Sequence, residues 1–399
     1  MRAPFTDHFK SLTVRENLDR ATIQKRLLLC LYGLGTNIGL KRVAAGDHGE
    51  SYRDLLYTRN RFLTKETMRA AITEIVNAIF RARLPQIWGE GTTACASDSK
   101  KFSAWDQNLM TEWHARYRGP GVLIYWHVER KATCIYSQLK HCSSSEVAAM
   151  ITGLLRHCSE MQVDRNYVDT HGQSEVGFAF CSLLGFQLLP RLKNLHAQKL
   201  YRPDTGQPDA YPNLQHILTR PIKWELIRQH YDEMIKYATA LRLGTAETEE
   251  ILRRFTRSGV QHPTYSALLE LGKARRTIFL CNYLQSEALR REIQEGLNVI
   301  ENWNSATNFI HYGRHGEFST NQLEDQELAM LALHLLQISL VFIQTLMIQE
   351  VLAEPAWMNK MTKEDLRGLT PLIYSNVNPY GLIRLNMTER LAIERAEAV

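Results

Sequence analysis

Three acids raise the question of chemistry in this chain. The stretch "NYVDTHGQSE", residues 166 to 175, runs from an apolar pair, Tyr167 and Val168, into the carboxylate of Asp169 and then a polar corner punctuated by Gly172. An Asp there can serve simply as an acceptor for the turn and the following helix. It can equally be one carboxylate of a metal-binding set. Asp98, inside the short-sided stretch "TTACASDSKKF", is a second acid. If the strands bearing these residues lie side by side, the two carboxylates repel, and one pKa rises unless a cation sits between them. Mg²⁺ answers this, because it takes oxygen ligands and keeps several waters. A third acid would complete a site for two ions. In "NVIENWNSATN" a helical reading puts Asn298, Glu301, Ser305 and Asn308 on one stripe, beside a more apolar face of Ile293, Leu297, Ile300 and Thr307. Such a stripe is normally a helix's solvent side, and on spacing alone Glu292, Glu295 and Glu317 are nearly as good as Glu301.

The elements that must position these acids follow a β-β-β-α-β-α-β order. Thr92–Phe102, Val122–Val128 and Ala132–Gln138 are strand-like, and Glu129, Arg130 and Lys131 suggest a hairpin between the last two. Ser143 to Cys158 reads as a helix opened by a Ser143–Glu146 capping box. A short strand ends at Asp169. A helix from Ser174 to Leu184 stops at Gly185, and Phe186–Leu192 is a further strand that Pro190 restricts to an end or an edge. An antiparallel trio followed by right-handed crossovers gives a mixed sheet with helices on its faces, in which the first and fourth strands can be neighbours. Residues 1–90 read as a helical lead-in, with Gly33 and Gly35 interrupting its first helical stretch. From Lys193 to about Arg291 no further strand pattern appears. Leu328 to Ile348 is long enough to span a membrane, but His334, Gln337, Gln344 and Gln349 recur near helical spacing, so a buried helix with one polar stripe is expected.

With 399 residues, 44% apolar and 23% charged, the chain has the composition of a folded soluble protein of two or three domains. A net charge of +6 leans mildly toward a polyanionic partner. Seven scattered cysteines without a CxxC pair speak against a zinc ribbon and for reduced thiols in a cytosolic compartment. The N-terminal MRAPFTDHFK lacks the apolar core of a signal peptide. "GQSEVG" nearly spells a nucleophile elbow, but Val176 occupies a position where that turn needs a small residue. The pairs His141–Cys142 and His157–Cys158 lack partners at zinc spacing. Trp224, Trp303 and Trp357 are expected in the core rather than as base-stacking platforms.

Four stretches, "SDSKKFSAWDQN", "YVDTHGQSE", "LLPRLKN" and "NVIENWNSAT", together with the closing "NPYGLIRLNM", resemble in order the catalytic motifs of the Tn3 family of replicative transposases. The resemblance implies a ribonuclease-H-like α/β core, with a mixed five-stranded sheet and flanking helices, carrying the DDE triad Asp98, Asp169 and Glu301. It further implies a division into a helical lead-in (1–90), the first part of the core (91–196), an all-helical insertion (197–289), the helix carrying Glu301 (290–318) and a C-terminal helical region (319–399). Also implied is Mg²⁺, replaceable by Mn²⁺, with Asp98 bridging two ions and Asp169 and Glu301 each holding one. Water activated there would cut the transposon 3′ end, and the freed 3′-hydroxyl would then attack target DNA, giving a cointegrate. Phosphate contacts fall to Lys100, Lys101, Arg191, Lys193, Lys199 and Arg202, while His171 and Gln173 would contact DNA or orient Asp169. Action on paired ends implies a homodimer on DNA in the bacterial cytoplasm, at the nucleoid when bound, with no membrane role. Family members are much longer at the N-terminus, where the end-recognition domains reside, so sequence-specific end binding is expected to lie outside this stretch. Two other readings remain: a non-catalytic regulatory partner of a longer transposase, and a stand-alone ribonuclease-H-like nuclease.

Overall fold

The computed structural model describes residues 3–12, 16–104, 108, 111–114, 118–157, 159–206, 210–256, 262–318, 320–375 and 383–389. Parts of "SDSKKFSAWDQN" and "NPYGLIRLNM", Cys158 and the side chain of His171 lie outside that set.

The lead-in is helical, as its apolar periodicity requires. Its main helices are Arg20–Gly35, Tyr52–Phe62 and Lys65–Ala82. Met68, Ala71, Ile72, Ile75, Val76 and Ile79 form the buried face of the third, whose N-cap Thr64 accepts a hydrogen bond from the Thr67 N–H. Gly33 and Gly35 do not interrupt the first helix; they let it approach its neighbours. A Cβ on Gly35 would lie 2.6 Å from Leu336 Cδ1 and 2.9 Å from the Ala332 carbonyl.

The central sheet has strands β1 (Ala94–Ser103), β2 (Glu112–His114), β3 (Gly119–Glu129), β4 (Cys134–Lys140), β5 (Arg165–Val168) and β6 (Gln187–Pro190). Its order is β2-β3-β1-β5-β6, with β4 also paired to β3. The β1, β3, β4 group is antiparallel, and β5 and β6 join it in parallel. The expected order of elements is present, with the short β2 as a sixth strand. β6 is an edge strand, which accommodates Pro190, and the Arg191 N–H takes up the ladder by donating to the Val168 carbonyl. The helix after β4 begins later than expected. Ser145, not Ser143, caps Glu146–Arg156 by accepting from the Ala148 N–H, and Glu146 is left to accept from the Ser99 hydroxyl at 2.8 Å. Ser174 and Gly185, the latter at φ +84°, bound the Glu175–Leu183 helix much as expected.

The segment after β6 is not all-helical. A two-stranded parallel sheet, β7 (Leu200–Arg202) with β8 (Leu218–Pro221), precedes the helices Trp224–Gln229, Tyr231–Leu243, Thr248–Thr256 and Pro263–Gln285. These strands are too short to show alternation in sequence. Glu270 ties β8 to the last of these helices by accepting from Arg220, from the Lys223 N–H and from Lys273. Burial would push its carboxyl up, but these partners hold it down at about 2. Glu270 thus supports the fold above the ordinary carboxylate pKa of 4.5, and that support is lost as pH falls through about 2. Glu270→Gln is expected to cost about 3 kcal/mol at pH 7. The difference from the native chain should close in melts taken as pH approaches 2, and a constant difference down to that pH would contradict this account.

Two long helices complete the layer on one face of the sheet: Glu287–Ile310 and Leu323–Leu352. The second is long and apolar enough to cross a membrane by length and composition, yet His334, Gln337 and Gln349 within it are buried. His334 bonds to the Ser137 hydroxyl and the Cys134 carbonyl, Gln337 donates to the Trp303 carbonyl, and Gln349 accepts from the Leu84 N–H and the Trp88 indole. The expected polar stripe is real, and these three residues of it serve as an internal hydrogen-bonding seam. Trp303 is fully buried, as expected, whereas Trp224 and Trp357 are about half exposed, contrary to expectation. Among the described cysteines Cys30, Cys95, Cys134 and Cys181 are buried, and all are free thiols.

Candidate active site

The register of two parallel strands places the first two acids. Ser97 of β1 pairs with Val168 of β5, so Asp98 and Asp169 are the next residues along each strand. The pairing is pinned from below by Asn166, whose Oδ1 accepts from Ser97 Oγ at 2.7 Å and from Cys95 Sγ at 3.3 Å. Beyond β5 the chain turns at once. The Gly172 N–H donates to the Asp169 carbonyl at 3.2 Å, and a Cβ on Gly172 would lie 2.6 Å from Val168 Cγ2. The corner therefore needs a glycine, and Asp169 sits at its mouth. Thr170 Oγ1 donates to the Arg191 carbonyl at 3.3 Å, closing the corner against the end of β6.

The Glu287–Ile310 helix crosses this sheet edge at close range. A Cβ on Gly296 would be 2.3 Å from Cδ2 of Tyr167, so helix and β5 touch at that turn. Near the helix start, Glu292 accepts from the Tyr167 hydroxyl at 2.5 Å and from Arg165 at 2.7 Å, and Glu295 accepts from Arg130 and Arg367. These two acids, alternatives to Glu301 by spacing alone, are thus committed to structural pairs. Glu292 lies about 14 Å before Glu301 along the helix axis at the usual rise per residue. The Glu317 carbonyl accepts from Asn37. One turn beyond Glu301, Asn304 Nδ2 donates to Asp98 Oδ2 at 3.1 Å. This direct tie between the helix and the sheet acids was missed in sequence reasoning, which assigned Asn304 to neither face. Its signal was its spacing of four from Ile300 and three from Thr307, which places it on the apolar face turned toward the sheet.

The Asp98 carboxyl is raised by burial and by its acidic neighbours: the charges of Asp169, Glu146 and Glu301 raise it further, to about 7, against an opposing hydrogen bond from the Ser99 N–H. Glu146 is a second residue that sequence reasoning treated only as a cap. Glu301 itself remains on the exposed stripe, its side chain 58% accessible, and Arg191 Nη1 lies 3.5 Å from its Oε1. Among the described residues no three His, Cys, Asp or Glu side chains are gathered closely enough to hold a metal ion as they stand. The donors nonetheless suit a hard divalent cation. They are carboxylates whose mutual repulsion a cation would relieve, and Asn304 Oδ1 is a buried oxygen with no hydrogen-bond partner.

The basic residues separate. Lys100 shares a strand face with Asp98 and feels its charge, while burial lowers its ammonium pKa. Lys101 points to the other face, beside Cys142 and Gly121. Arg191 is at the site. Lys193 and Lys199 are exposed on the connection to β7, and Arg202 lies within β7 with a buried, unpartnered Nε. Gln173 is partly buried in the corner, its Oε1 also unpartnered.

The profile of the family described as Tn3 transposase DDE domain matches residues 1–382. The chain belongs to that family. Relatives agree with the assignment. The transposase for transposon Tn1546 of Enterococcus faecium is 28% identical over 90% of this chain and 36% of its own length. The transposase for Tn501 of Pseudomonas aeruginosa is 29% identical over 94% and 38%, and that for Tn2501 of Escherichia coli is 30% identical over 96% and 38%. This Tn3-family chain therefore spans a little over a third of the length of the curated relatives it matches.

Proposed function

We propose that this chain is the catalytic region of a DNA transposase, with a ribonuclease-H-like core in which Asp98, Asp169 and Glu301 act as the DDE triad. The observation that carries the reading is the register that sets Asp98 beside Asp169 under a helix tied to Asp98 through Asn304, in a chain of this family. The strand order, an antiparallel trio extended by two parallel strands, supports the fold assignment. The segment 197–289 then reads as an insertion between the last core strand and the Glu301 helix, with α-helices and the β7–β8 pair among its described residues.

Asp98, Asp169 and Glu301 would hold divalent metal, Mg²⁺ or Mn²⁺, with the Asn304 amide oxygen beside them. When bound, the metal supplies charge neutralisation at phosphorus and acidifies water for attack. The protein's own part is to orient the acids on two strand ends and one helix, which fixes the reacting phosphodiester against them. Lys100 and Arg191 add positive charge at the same edge, where a DNA backbone would pass, and Lys193 and Lys199 extend it into solvent. The chemistry is hydrolytic nicking at a transposon 3′ end, followed by attack of the freed 3′-hydroxyl on target DNA without excision of the element. A homodimer working on paired ends, in the cytoplasm and at the nucleoid when DNA-bound, fits that chemistry.

The test uses branched DNA bearing transposon ends with Mg²⁺ or Mn²⁺. Metal-dependent joining is expected, and Asp169→Asn should lower it by about 10³-fold or more, since a lost metal ligand removes several kcal/mol of transition-state stabilisation. Cutting of unrelated DNA without joining would instead establish a simple nuclease. Joining that persists in the variant would refute the assignment of Asp169.

A further inference from the structure

We propose that Arg191 is a phosphate-responsive latch on Glu301, so that engaging a DNA phosphate and completing the metal site are one coupled event. This deepens the reading above and rests on it. Val168 pairs with Pro190 across β5 and β6, so Arg191 follows β6 just as Asp169 follows β5, and Asp98, Asp169 and Arg191 form a row across three strand ends. From that row the guanidinium reaches Glu301 at 3.5 Å. Glu301, 58% exposed, is held in this pair instead of closing with the two aspartates into a three-acid cluster. Arg191 is only partly used, because its Nε is buried and has no hydrogen-bond partner.

Each feature suits an exchangeable contact. A half-exposed pair at this separation is weak. A phosphodiester offers the planar fork two oxygens in matching geometry and a stronger, charge-assisted bond. A phosphate taken by Arg191 frees Glu301 to turn toward Asp98 and Asp169, whose combined charge favours metal once a third ligand joins them. Thermodynamic linkage makes the effect reciprocal: DNA tightens metal binding, and metal tightens DNA binding. Arg191 is then a positioning residue that acts through Glu301.

The whole chain is titrated with Mn²⁺, with and without a short DNA duplex, and heat is measured rather than turnover. Without DNA, Arg191→Gln should bind Mn²⁺ about fivefold tighter than the native chain, the scale a half-exposed ion pair sets. Duplex should tighten Mn²⁺ on the native chain by a similar factor and add little to the variant, and Arg191→Lys should stay near native. Lys100→Gln removes an equal charge near Asp98 without touching the latch, so equal tightening in both glutamine variants would show that only net charge matters and would overturn the proposal. In EDTA, Glu301→Gln releases Arg191. It should bind duplex about fivefold tighter, with a log–log salt slope steeper by about 1. Unchanged duplex affinity overturns the latch, and this arm decides alone should Arg191→Gln misfold. If Asp98→Asn binds Mn²⁺ as well as the native chain, the metal site fails and the latch with it. If Asp98→Asn loses Mn²⁺ while Arg191→Gln matches native, only the latch fails.

Discussion

Asp98→Asn should make the protein more stable at neutral pH while abolishing its chemistry. The Asp98 carboxyl is raised from 3.8 to about 7 by burial first, then by the charges of Asp169, Glu146 and Glu301. A carboxyl whose folded pKa lies above its unfolded value stabilises the fold only while it is protonated. That contribution is fully present below about pH 3.8 and is lost as pH rises through about 7. Above pH 7 the native chain therefore carries an ionised, poorly solvated aspartate among other acids. The neutral amide removes this cost and keeps an oxygen for the Asn304 hydrogen bond. Metal-free melts should show the variant ahead by about 2–4 kcal/mol at pH 8, by less near pH 6, and level with the native chain near pH 3. Added Mg²⁺ should raise the melting temperature of the native chain with the logarithm of its concentration above Kd and leave the variant unmoved. Strand joining by the variant should fall about 10³-fold or more. A variant no more stable than native at pH 8 would mean that Asp98 is neither desolvated nor crowded by the neighbouring acids as described.

Gly296→Val should damage both stability and activity from a position that touches no substrate. Its nearest Cβ contact would be 2.3 Å from the Tyr167 ring, far inside the separation at which carbon atoms attract. Tyr167 cannot yield readily. It is 1% exposed and its hydroxyl is bonded to Glu292 on the same helix. The helix must lift instead, carrying Asn304 and Glu301 with it. Overpacking of this kind costs about 1–3 kcal/mol. Displacement of about 1 Å at a catalytic group is worth about 10²-fold in rate. Gly296→Ala should show the same signs at smaller size. A valine variant with native melting and native joining would place the helix elsewhere than over β5.

Much of this arrangement is legible along the chain, and for identifiable reasons. The apolar faces of Lys65–Ala82 and Glu287–Ile310 repeat at helical spacing, and the β3–β4 hairpin is announced by two β-rich runs around a charged turn. Glycines mark the ends of elements where backbone geometry demands them, as at Gly185. Short pieces without a period stayed hidden: β2, and the β7–β8 pair, whose few residues are held by contacts from Arg220 and the Lys223 N–H to Glu270 on a distant helix. Capping by Ser145 instead of Ser143 is a choice within a run of three serines that local sequence leaves open and Glu146's bond to Ser99 resolves.

The same division runs through the site. Asp98 and Asp169 could be paired from the order of strands alone, because a right-handed crossover from a hairpin-flanked first strand leaves few neighbours for the strand that ends at Asp169. Spacing alone did not separate Glu292, Glu295 and Glu301, which all lie on one helix; the family resemblance names Glu301, and the structure adds that their partners differ: Arg165 and Tyr167 for the first, Arg130 and Arg367 for the second, Arg191 and the field of Asp98 for the third. The residue types, their order and the period of the elements were set by the chain itself, being local properties of the backbone and of apolar burial. Which acid meets which, the inward turn of Asn304 and the hold of Arg191 on Glu301 were decided only by three-dimensional proximity, because charge and hydrogen bonding act across space between residues far apart in sequence.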